Sequence, residues 1–156
     1  NLATAGLGIL TLAIGIYSSN RPSLGTTDQI KNINTSGLII GGFILFWIGF
    51  LNGSLASGTG LLATLWLVQW FGISYTNAIA HTLILVGLIW NGTGALILGI
   101  NGEIQWGWIP MLIGGSLTGG YLGANLSLQK GTKIVKKAFE ILSISMGLSL
   151  IIKSFY

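Results

Sequence analysis

Charged side chains are nearly absent from the middle of this chain. Between Lys31 and Lys130 the only formally charged residue is Glu103. Soluble domains carry about a quarter charged residues, whereas this chain of 156 residues is 6% charged and 51% hydrophobic. Since a membrane-spanning helix needs about 20 apolar residues, the uncharged interval has room for several spans. The sequence therefore predicts an all-α polytopic membrane protein.

The composition also excludes several classes of function. The chain has no cysteine, one histidine and three acidic residues, so disulfides and thiolate metal sites are excluded, and neither a metal cage nor a carboxylate dyad is expected. The sequence contains no nucleophile–base pair and no phosphate-binding loop. The net charge of +4 comes from basic residues that border apolar segments, which indicates membrane topology rather than nucleic-acid binding. We expect no enzyme activity, no cofactor and no nucleic-acid partner.

Apolar segments separated by short polar stretches predict the order of the helices. A short or truncated span comes first, followed by a polar linker, two short apolar arms and three longer helices. Thr76 or Asn77 is expected to cap the first longer helix, and Pro110 falls in the first turns of the second, where proline disturbs a helix least. The predicted ranges are 2–17 for the first span, 18–36 for the linker, 37–52 and 60–72 for the arms, and 76–100, 104–128 and 134–155 for the longer helices.

The two short arms are interrupted by glycines and hydroxyl-bearing residues. Residues 37–71 are apolar, yet they break at Asn52-Gly53-Ser54 and again at 57–60, which read Ser-Gly-Thr-Gly. In a bilayer every backbone N–H and C=O needs a partner, so irregular backbone survives only inside protein or beside a water-filled cavity. Broken helices of this kind mark substrate sites in transporters. The sequence predicts a helical bundle that contains a broken, glycine-rich helical hairpin.

The basic residues predict how the chain crosses the membrane. They concentrate in loops 21–31 and 130–137, and basic loops face the cytoplasm. The two longer helices between these loops supply two crossings, so the broken segment must enter and leave on one side. Spans 2–17 and 134–155 then run in opposite directions, which is the geometry of an inverted repeat. We expect 1–17 to be the last helix of a missing N-terminal repeat, 18–36 a cytoplasmic linker, and 37–156 the C-terminal repeat.

The break carries the candidate substrate site. Asn52, Ser54, Ser57 and Thr59 offer side-chain donors, while Gly53, Gly58 and Gly60 allow tight turns and close approach to a ligand. If a helix begins at residue 60 or 61, its free N–H groups and positive dipole end would bind an anion without a basic side chain. The alternative is that these small residues serve close helix packing alone. The candidate substrate-binding residues are Asn52, Gly53, Ser54, Ser57, Gly58, Thr59, Gly60, His81, Thr82 and Asn91.

Two further features have both a functional and a structural interpretation. His81 is the only side chain that ordinarily titrates near neutral pH, so it is a candidate for proton coupling or substrate contact. The alternative is a neutral imidazole that is hydrogen bonded to a neighbouring helix. Gly115, Gly119 and Gly123 lie four residues apart on one helical face, which predicts a ridge for close helix packing.

Several ordered motifs resemble one family of membrane proteins. They are GFLNGSLASGTGLL at 49–62, NAIAHTL at 77–83, GINGEIQW at 99–106, GGSLTGGYLGANLS at 114–127 and the helix that begins KIVKKAFE at 133. In this order they resemble the TauE/SafE family of membrane permeases over residues 37–155. The resemblance implies a multi-pass transporter that moves small anions, often sulfite or sulfonates, and residues 1–36 then look like the end of the family's first half and its linker.

The combined expectation is a secondary transporter for small anions in the bacterial cytoplasmic (inner) membrane. Its expected partners are a small anionic substrate, the lipid bilayer, the missing N-terminal half of the same protein, and a coupling proton or sodium ion. Two other functions stay open at this point. The same donors would line the pore of an anion channel, and the glycine-rich faces would suit a non-transporting membrane assembly partner.

Overall fold

The regular structure of the chain is helical. The computed structural model describes residues 2–55, 58–102 and 104–154, and it leaves the side chains at 2, 3, 54, 55 and 101 undescribed. Within these ranges the elements are α1 (Leu2–Ser19), α2 (Thr35–Leu55), α3 (Thr59–Phe71), α4 (Tyr75–Thr82), a π-helical segment (Leu83–Trp90), α5 (Asn91–Asn101), a 3₁₀ turn (Trp106–Trp108), α6 (Ile109–Lys130) and α7 (Thr132–Ser154). The predicted all-α fold is confirmed.

Helices α1 and α7 pack most closely, and glycine makes this approach possible. A Cβ built on Gly147 would lie 2.6 Å from the backbone nitrogen of Leu12, and one on Gly8 would lie 3.0 Å from the carbonyl oxygen of Gly147. Gly15 faces Ser143 and Ile144 in the same way. Because low numbers in α1 face high numbers in α7, the two helices run antiparallel. This is the direction that an inverted repeat requires; the repeat itself stays a prediction.

The predicted glycine ridge does not make a close contact in this chain. A Cβ at Gly115, Gly119 or Gly123 would meet no heavy atom of the described residues within 4 Å. Helix α6 touches α7 near the turn that joins them, and its side chains are exposed along almost its whole length. The spacing of four was read correctly as one face, but that face has no neighbour here. Close packing through glycine occurs between α1 and α7 instead.

Helices α2 and α3 form the predicted hairpin. The indole N–H of Trp66 donates to the Gly41 carbonyl (3.3 Å), and that of Trp70 donates to the Gly37 carbonyl (3.0 Å). The two indoles stack with their centroids 5.1 Å apart. Later residues in α3 pair with earlier residues in α2, so the arms are antiparallel. The hairpin is confirmed.

The predicted length of the first arm was wrong. Helix α2 has 21 residues, which at 1.5 Å per residue gives about 32 Å, enough to cross a bilayer. The expected end at Asn52 fails because Gly53 lies within the helix. Helix α2 ends at Leu55, and the left-handed residue Gly58 directly precedes α3. The second arm, α3, matches its predicted range to within one residue.

Two other predicted boundaries also need correction. The first long helix begins at Tyr75, and Ser74 rather than Thr76 or Asn77 occupies the capping position. The second begins at Ile109, not at 104, because residues 104–108 form an irregular stretch and a 3₁₀ turn. Pro110 lies at the start of this helix, as predicted.

A loop carboxylate takes over the capping role at α4. The backbone N–H of Ser74 donates to Asp28 Oδ1 (2.6 Å), and the Asn77 amide donates to both carboxylate oxygens (2.9 and 3.2 Å). A negative charge there also complements the positive end of the helix dipole. Asp28 therefore fastens the 20–34 loop to the start of α4.

The two basic loops meet at the same end of the molecule. Lys136 Nζ donates to the Arg21 carbonyl, and the hydroxyl of Thr76 donates to that of Thr132 at 3.2 Å. Below them the Ser18 hydroxyl bonds both Tyr75 Oη (2.8 Å) and Glu140 Oε1 (2.9 Å). Apolar contacts complete the junction; the buried cluster is Ile14, Leu67, Val68, Tyr75, Ala78 and Phe139. The shared position of the loops is what the predicted topology requires.

Among the described residues, two helical stretches are long and apolar enough to cross a membrane. They are Thr35–Gly53 and Tyr75–Ile100, with 17% and 0% of their windows buried inside the chain. A core helix of a soluble protein would be mostly buried. Their apolar surface, which includes Phe46 and Leu88, is instead largely exposed.

Replacing Gly147 by Leu should destabilise the fold far more than replacing Gly119. The leucine at 147 would collide with the α1 backbone, and overpacking of this kind costs about 1–3 kcal/mol or more. At 119 the side chain would enter open space. Thermal unfolding of both purified variants measures the difference, and an equal loss of melting temperature would contradict the packing described.

Replacing Asp28 by Ala should lower stability in a pH-dependent way. The hydrogen bond from the Ser74 N–H lowers the pKa of Asp28 from its ordinary 3.8, against the opposing effect of desolvation. A carboxylate with a lowered folded pKa stabilises the fold above its unfolded pKa, and this contribution is lost as pH falls through the folded pKa. The melting temperature deficit of Asp28→Ala should therefore be present at pH 7 and shrink below pH 3.8.

Gln29→Ala, which alters an exposed side chain in the same loop, is the control for that pH series. It should track the wild type at every pH. A deficit of Asp28→Ala that is constant from pH 7 to pH 3 would show that the carboxylate charge contributes nothing.

Candidate functional site

The tip of the α2–α3 hairpin depends on one glycine. Gly58 has φ +78° and ψ −16°, a left-handed conformation that side chains other than glycine rarely adopt. Its carbonyl accepts the N–H groups of Leu61 (3.1 Å) and Leu62 (3.3 Å) and so starts α3. The helix begins at Thr59, one residue earlier than expected. The first N–H groups of a helix lack partners within it, so the tip presents backbone donors.

A buried polar cluster lies directly at this tip. Thr59 is 1% exposed and Asn52 is 7% exposed. The Thr59 hydroxyl donates to Asn52 Oδ1 (2.5 Å), and Asn52 Nδ2 donates to Asn91 Oδ1 (3.0 Å). Asn91 is itself exposed. The cluster therefore runs from the interior of the hairpin to the surface of the chain.

A second pair of hydroxyls extends the cluster along α3. Thr64 and Thr82 are buried, and their hydroxyl oxygens lie 3.0 Å apart. Thr64 Oγ1 is also hydrogen bonded to the Gly60 carbonyl at 2.8 Å. A Cβ on Gly60 would contact the Thr82 methyl at 3.8 Å, an ordinary distance. This part of the site has room for a small side chain at 60, unlike the left-handed position at 58.

The first helix also reaches the tip. A Cβ on Gly58 would lie 3.2 Å from Thr11 Oγ1. Thr11 is fully buried, and its hydroxyl donates to the Leu7 carbonyl at 2.7 Å. Because that bond lies within α1, the lone pairs of the Thr11 oxygen remain available toward the hairpin. Helix α1 thus forms one wall of the site.

The π-helical segment decides which side chains face the hairpin. Thr82 and Asn91 are nine residues apart, and a regular α-helix turns about 100° per residue, which would place them on opposite faces. Both nevertheless contact the hairpin, Thr82 through Thr64 and Asn91 through Asn52. The i→i+5 turns of Leu83–Trp90 rotate less per residue and bring the two side chains to one side. Trp90 completes the contact by packing against Gly49.

The helix lengths give the distance of the cluster from the basic loops. Helix α3 has 13 residues, so Thr59 lies about 20 Å along the helix from the loop end at Phe71. The hydrocarbon core of a bilayer is about 30 Å thick. If the basic loops lie at the membrane surface, we expect a cluster at this distance from them to lie within the hydrocarbon region.

The structure brings six of the ten predicted site residues together. Asn52, Thr59, Thr82 and Asn91 are hydrogen bonded in the cluster, and Gly58 and Gly60 shape its backbone. Gly53 is exposed in α2, and a Cβ built on it would meet no heavy atom of the described residues within 4 Å. Ser57 lies outside the described residues, as does the side chain of Ser54.

His81 is separated from the cluster. Its ring is exposed, and Nδ1 lies 2.7 Å from the carbonyl oxygen of Asn77 one turn earlier in its own helix. The structural interpretation placed the partner of His81 in a neighbouring helix, whereas this contact lies within its own helix. Proton coupling and substrate contact stay predictions. The structure brings Thr82, its neighbour in the chain, into the cluster instead.

Sequence reasoning missed Thr11 and Thr64. Both are hydroxyl residues within apolar helices and both are buried. Thr64 follows Gly60 by four residues, which is one helical turn. This spacing is a signal that could have extended the motif at 57–60 to Thr64. Thr11 belongs to the first span, which the sequence predicts to lie in a separate repeat, so no sequence signal connects it with the hairpin.

The cluster is uncharged, and its polar atoms are satisfied. Among the described residues that are not exposed, each fully buried side-chain nitrogen or oxygen has a hydrogen-bond partner. The described residues also contain no group of three histidine or acidic side chains that would hold a metal ion. A ligand entering the site must therefore exchange existing hydrogen bonds for its own, and the donors it meets are amides, hydroxyls and backbone N–H groups.

Asn52 and Asn91 should be coupled energetically. Removing either side chain leaves the other amide without its partner, so Asn52→Ala and Asn91→Ala together should cost less than the sum of the single changes. We expect a coupling energy of about 0.5–2 kcal/mol, measured by a double-mutant cycle on unfolding. The control cycle pairs Asn52→Ala with Asn125→Ala on α6 and should be additive within about 0.5 kcal/mol. Additivity in both cycles would contradict the contact.

Comparison with known proteins gives consistent matches. A protein from Haemophilus influenzae (strain Rd) named "Probable membrane transporter protein" is 31% identical over 90% of this chain and 54% of its own length. "Probable membrane transporter protein YfcA" of Escherichia coli (strain K12) is 29% identical over 95% of this chain. "Probable membrane transporter protein ORF9" of Sinorhizobium sp is 29% identical over 93%. The chain spans about half the length of the curated relatives it matches.

No solved structure gives a significant match. The profile of the sulfite exporter TauE/SafE family matches residues 1–150, so the similarity also includes the first 36 residues, which lay outside the motifs. With an apolar, all-helical fold, these matches identify a membrane protein of a transporter family. The chain belongs to the sulfite exporter TauE/SafE family.

Proposed function

We propose that the protein is a secondary transporter that moves small anions, of the sulfite and sulfonate class, across the cytoplasmic membrane. The observation that carries this proposal is the uncharged donor cluster at the hairpin tip, formed by the buried Asn52 and Thr59 and the exposed Asn91 beside the start of α3. The family and the names of its relatives support transport by a membrane protein. The substrate, the cytoplasmic membrane and the multi-pass topology are part of the proposal.

The chemistry of the cluster favours an anion over a cation. Helix α3 begins at Thr59, so its positive dipole end and its first N–H groups face the site. Asn52 and Asn91 add amide donors, and the hydroxyls of Thr59 and Thr64 can reorient to donate. No carboxylate lies among the described residues of the site to hold a cation. An oxyanion with several acceptor oxygens matches such a set of donors.

The absence of a basic side chain from the cluster suits release as well as binding. Hydrogen bonds to a charged group contribute about 1.5–3 kcal/mol each, so a few of them bind an anion without the deep well that a lysine or arginine would add at low dielectric. The Thr59–Asn52 and Asn52–Asn91 bonds satisfy the same groups in this structure. Binding and release then exchange one set of hydrogen bonds for another.

Thr59→Val should weaken anion binding at nearly constant side-chain shape. Loss of one charge-assisted hydrogen bond predicts roughly a tenfold higher Kd. Binding of sulfite, thiosulfate, a sulfonate and a carboxylate to the purified full-length protein measures the effect and ranks the substrate classes. The matched control is Thr93→Val, because the Thr93 hydroxyl is exposed and donates to the Ile89 carbonyl of its own turn. Equal effects of the two variants would move the site away from the hairpin tip.

Transport itself separates the remaining alternatives. In proteoliposomes preloaded with unlabelled anion, a carrier accelerates uptake of labelled anion by exchange, whereas a channel does not. A protein that serves only in membrane assembly gives no flux. Imposed proton and sodium gradients, applied separately, test the proposed coupling ion. Uptake that is independent of preloading would favour the channel.

A further inference from the structure

We propose that a pocket beside the first turns of α7 binds the phosphate-bearing headgroup of an anionic phospholipid. We call it the lysine pocket. It lies between the loop after α1 and the start of α7, and its volume is about 570 Å³. The residues that matter to the argument are Ser23 and Thr26 from the loop and Lys133, Lys136, Lys137 and Glu140 from α7. The hairpin site is far along the membrane helices from this pocket, so the proposal is independent of the proposed substrate.

One lysine of the pocket is already neutralised. Lys136 is 5% exposed, and its Nζ lies 3.5 Å from Glu140 Oε1 and donates to the Arg21 carbonyl. Glu140 also accepts a hydrogen bond from the Ser18 hydroxyl. This pair therefore holds the floor of the pocket and contributes no net charge. The remaining charge of the pocket comes from Lys133 and Lys137, which are both exposed.

Lys133 and Lys137 are placed unfavourably for the protein alone. They are four residues apart on one helix, where like charges repel. They also lie in the first two turns of α7, at the positive end of its dipole, and the first turn contains no acidic residue. A phosphate between the two ammonium groups removes both penalties. The Ser23 hydroxyl of the loop can donate to another phosphate oxygen, whereas the Thr26 hydroxyl donates to the Ser23 carbonyl at 3.0 Å.

The surface below the two lysines favours a lipid over a free phosphate ion. Ile134 and Ile141 are spaced by seven residues and flank Lys137 on the same face of α7, with Leu148 two turns further on. Their side chains are 52%, 59% and 48% exposed. A soluble anion uses only the lysines, whereas a phospholipid places its phosphate at the lysines and an acyl chain along this apolar stripe. Basic clusters at the end of a membrane helix recognise anionic headgroups in this way.

The test compares two double variants that remove the same charge. Lys133→Gln with Lys137→Gln removes the free ammonium groups of the lysine pocket. Lys130→Gln with Lys153→Gln removes two lysines outside it, one at the end of α6 and one in the last turn of α7. The purified full-length protein in neutral detergent is titrated with phosphatidylglycerol or phosphatidylcholine, and bound lipid is counted by native mass spectrometry.

We expect wild type to retain phosphatidylglycerol at least tenfold more tightly than phosphatidylcholine. The pocket variant should lose that preference, the control variant should keep it within twofold, and Lys133→Arg with Lys137→Arg should also keep it. Inorganic phosphate at equal concentration should not displace the lipid. Equal losses in the two glutamine variants, or no lipid preference in wild type, would overturn the proposal. Full displacement by inorganic phosphate would overturn it too, since the site would then serve a soluble anion.

Discussion

A broken helix at membrane depth must satisfy its own backbone, and this constraint organises the fold. Lipid offers no partner to a free N–H or C=O, so the hairpin tip at Gly58 survives only where other elements close around it. Two elements do so, since α1 contributes Thr11 and the π-helical segment leads to Asn91, while Asn52 comes from the hairpin's own arm α2. The polar cluster is therefore both the support of the interruption and the set of donors from which we derive the function. Structure and proposed activity rest on the same hydrogen bonds.

The anchorage of these elements lies at the opposite end, in the junction of the basic loops. There Asp28 caps α4, while Ser18 joins Tyr75 to Glu140. Aromatic contact between Tyr75 and Phe139, with ring centroids 4.9 Å apart, adds apolar packing. The molecule thus has a firmly connected loop end and a tip held by a few hydrogen bonds. Such a gradient suits a protein whose tip has to exchange those bonds for a ligand.

The sequence predicted the helices and the hairpin well, because apolar segments and their glycine break are local features. It also led to Asn52, Thr59, Thr82 and Asn91 as a candidate set. It did not predict that Asn52 lies inside α2, because the Gly53-Ser54 pair is typical of a helix break, whereas here both residues belong to the helix, which ends at Leu55. The shared face of Thr82 and Asn91 was equally out of reach, because it requires turns wider than those of an α-helix. Whether a glycine face packs against another helix depends on the tertiary structure. Gly147 packs against α1, whereas Gly119 contacts no neighbouring helix among the described residues.

The π-helical segment lies in the middle of the continuous helical stretch Tyr75–Asn101. Its hydrogen bonding sets both the length of this stretch and the rotation of its second half relative to its first. Turns with i→i+5 hydrogen bonds hold more residues than α-turns, so the same eight residues in α-form would be longer and more tightly wound. The end of this helix at the basic loops is fixed by Tyr75, which is fully buried. If peptide groups between Leu83 and Trp90 exchanged hydrogen-bond partners, the part of the helix after Trp90 would therefore move. Asn91 would both shift along the helix axis and rotate about it. Helix α5 is largely exposed in this chain, so the part of the helix after the π-helical segment can move with few contacts to break. The Asn91 amide, which now faces Asn52, would then turn away from the hairpin without any hinge in a loop.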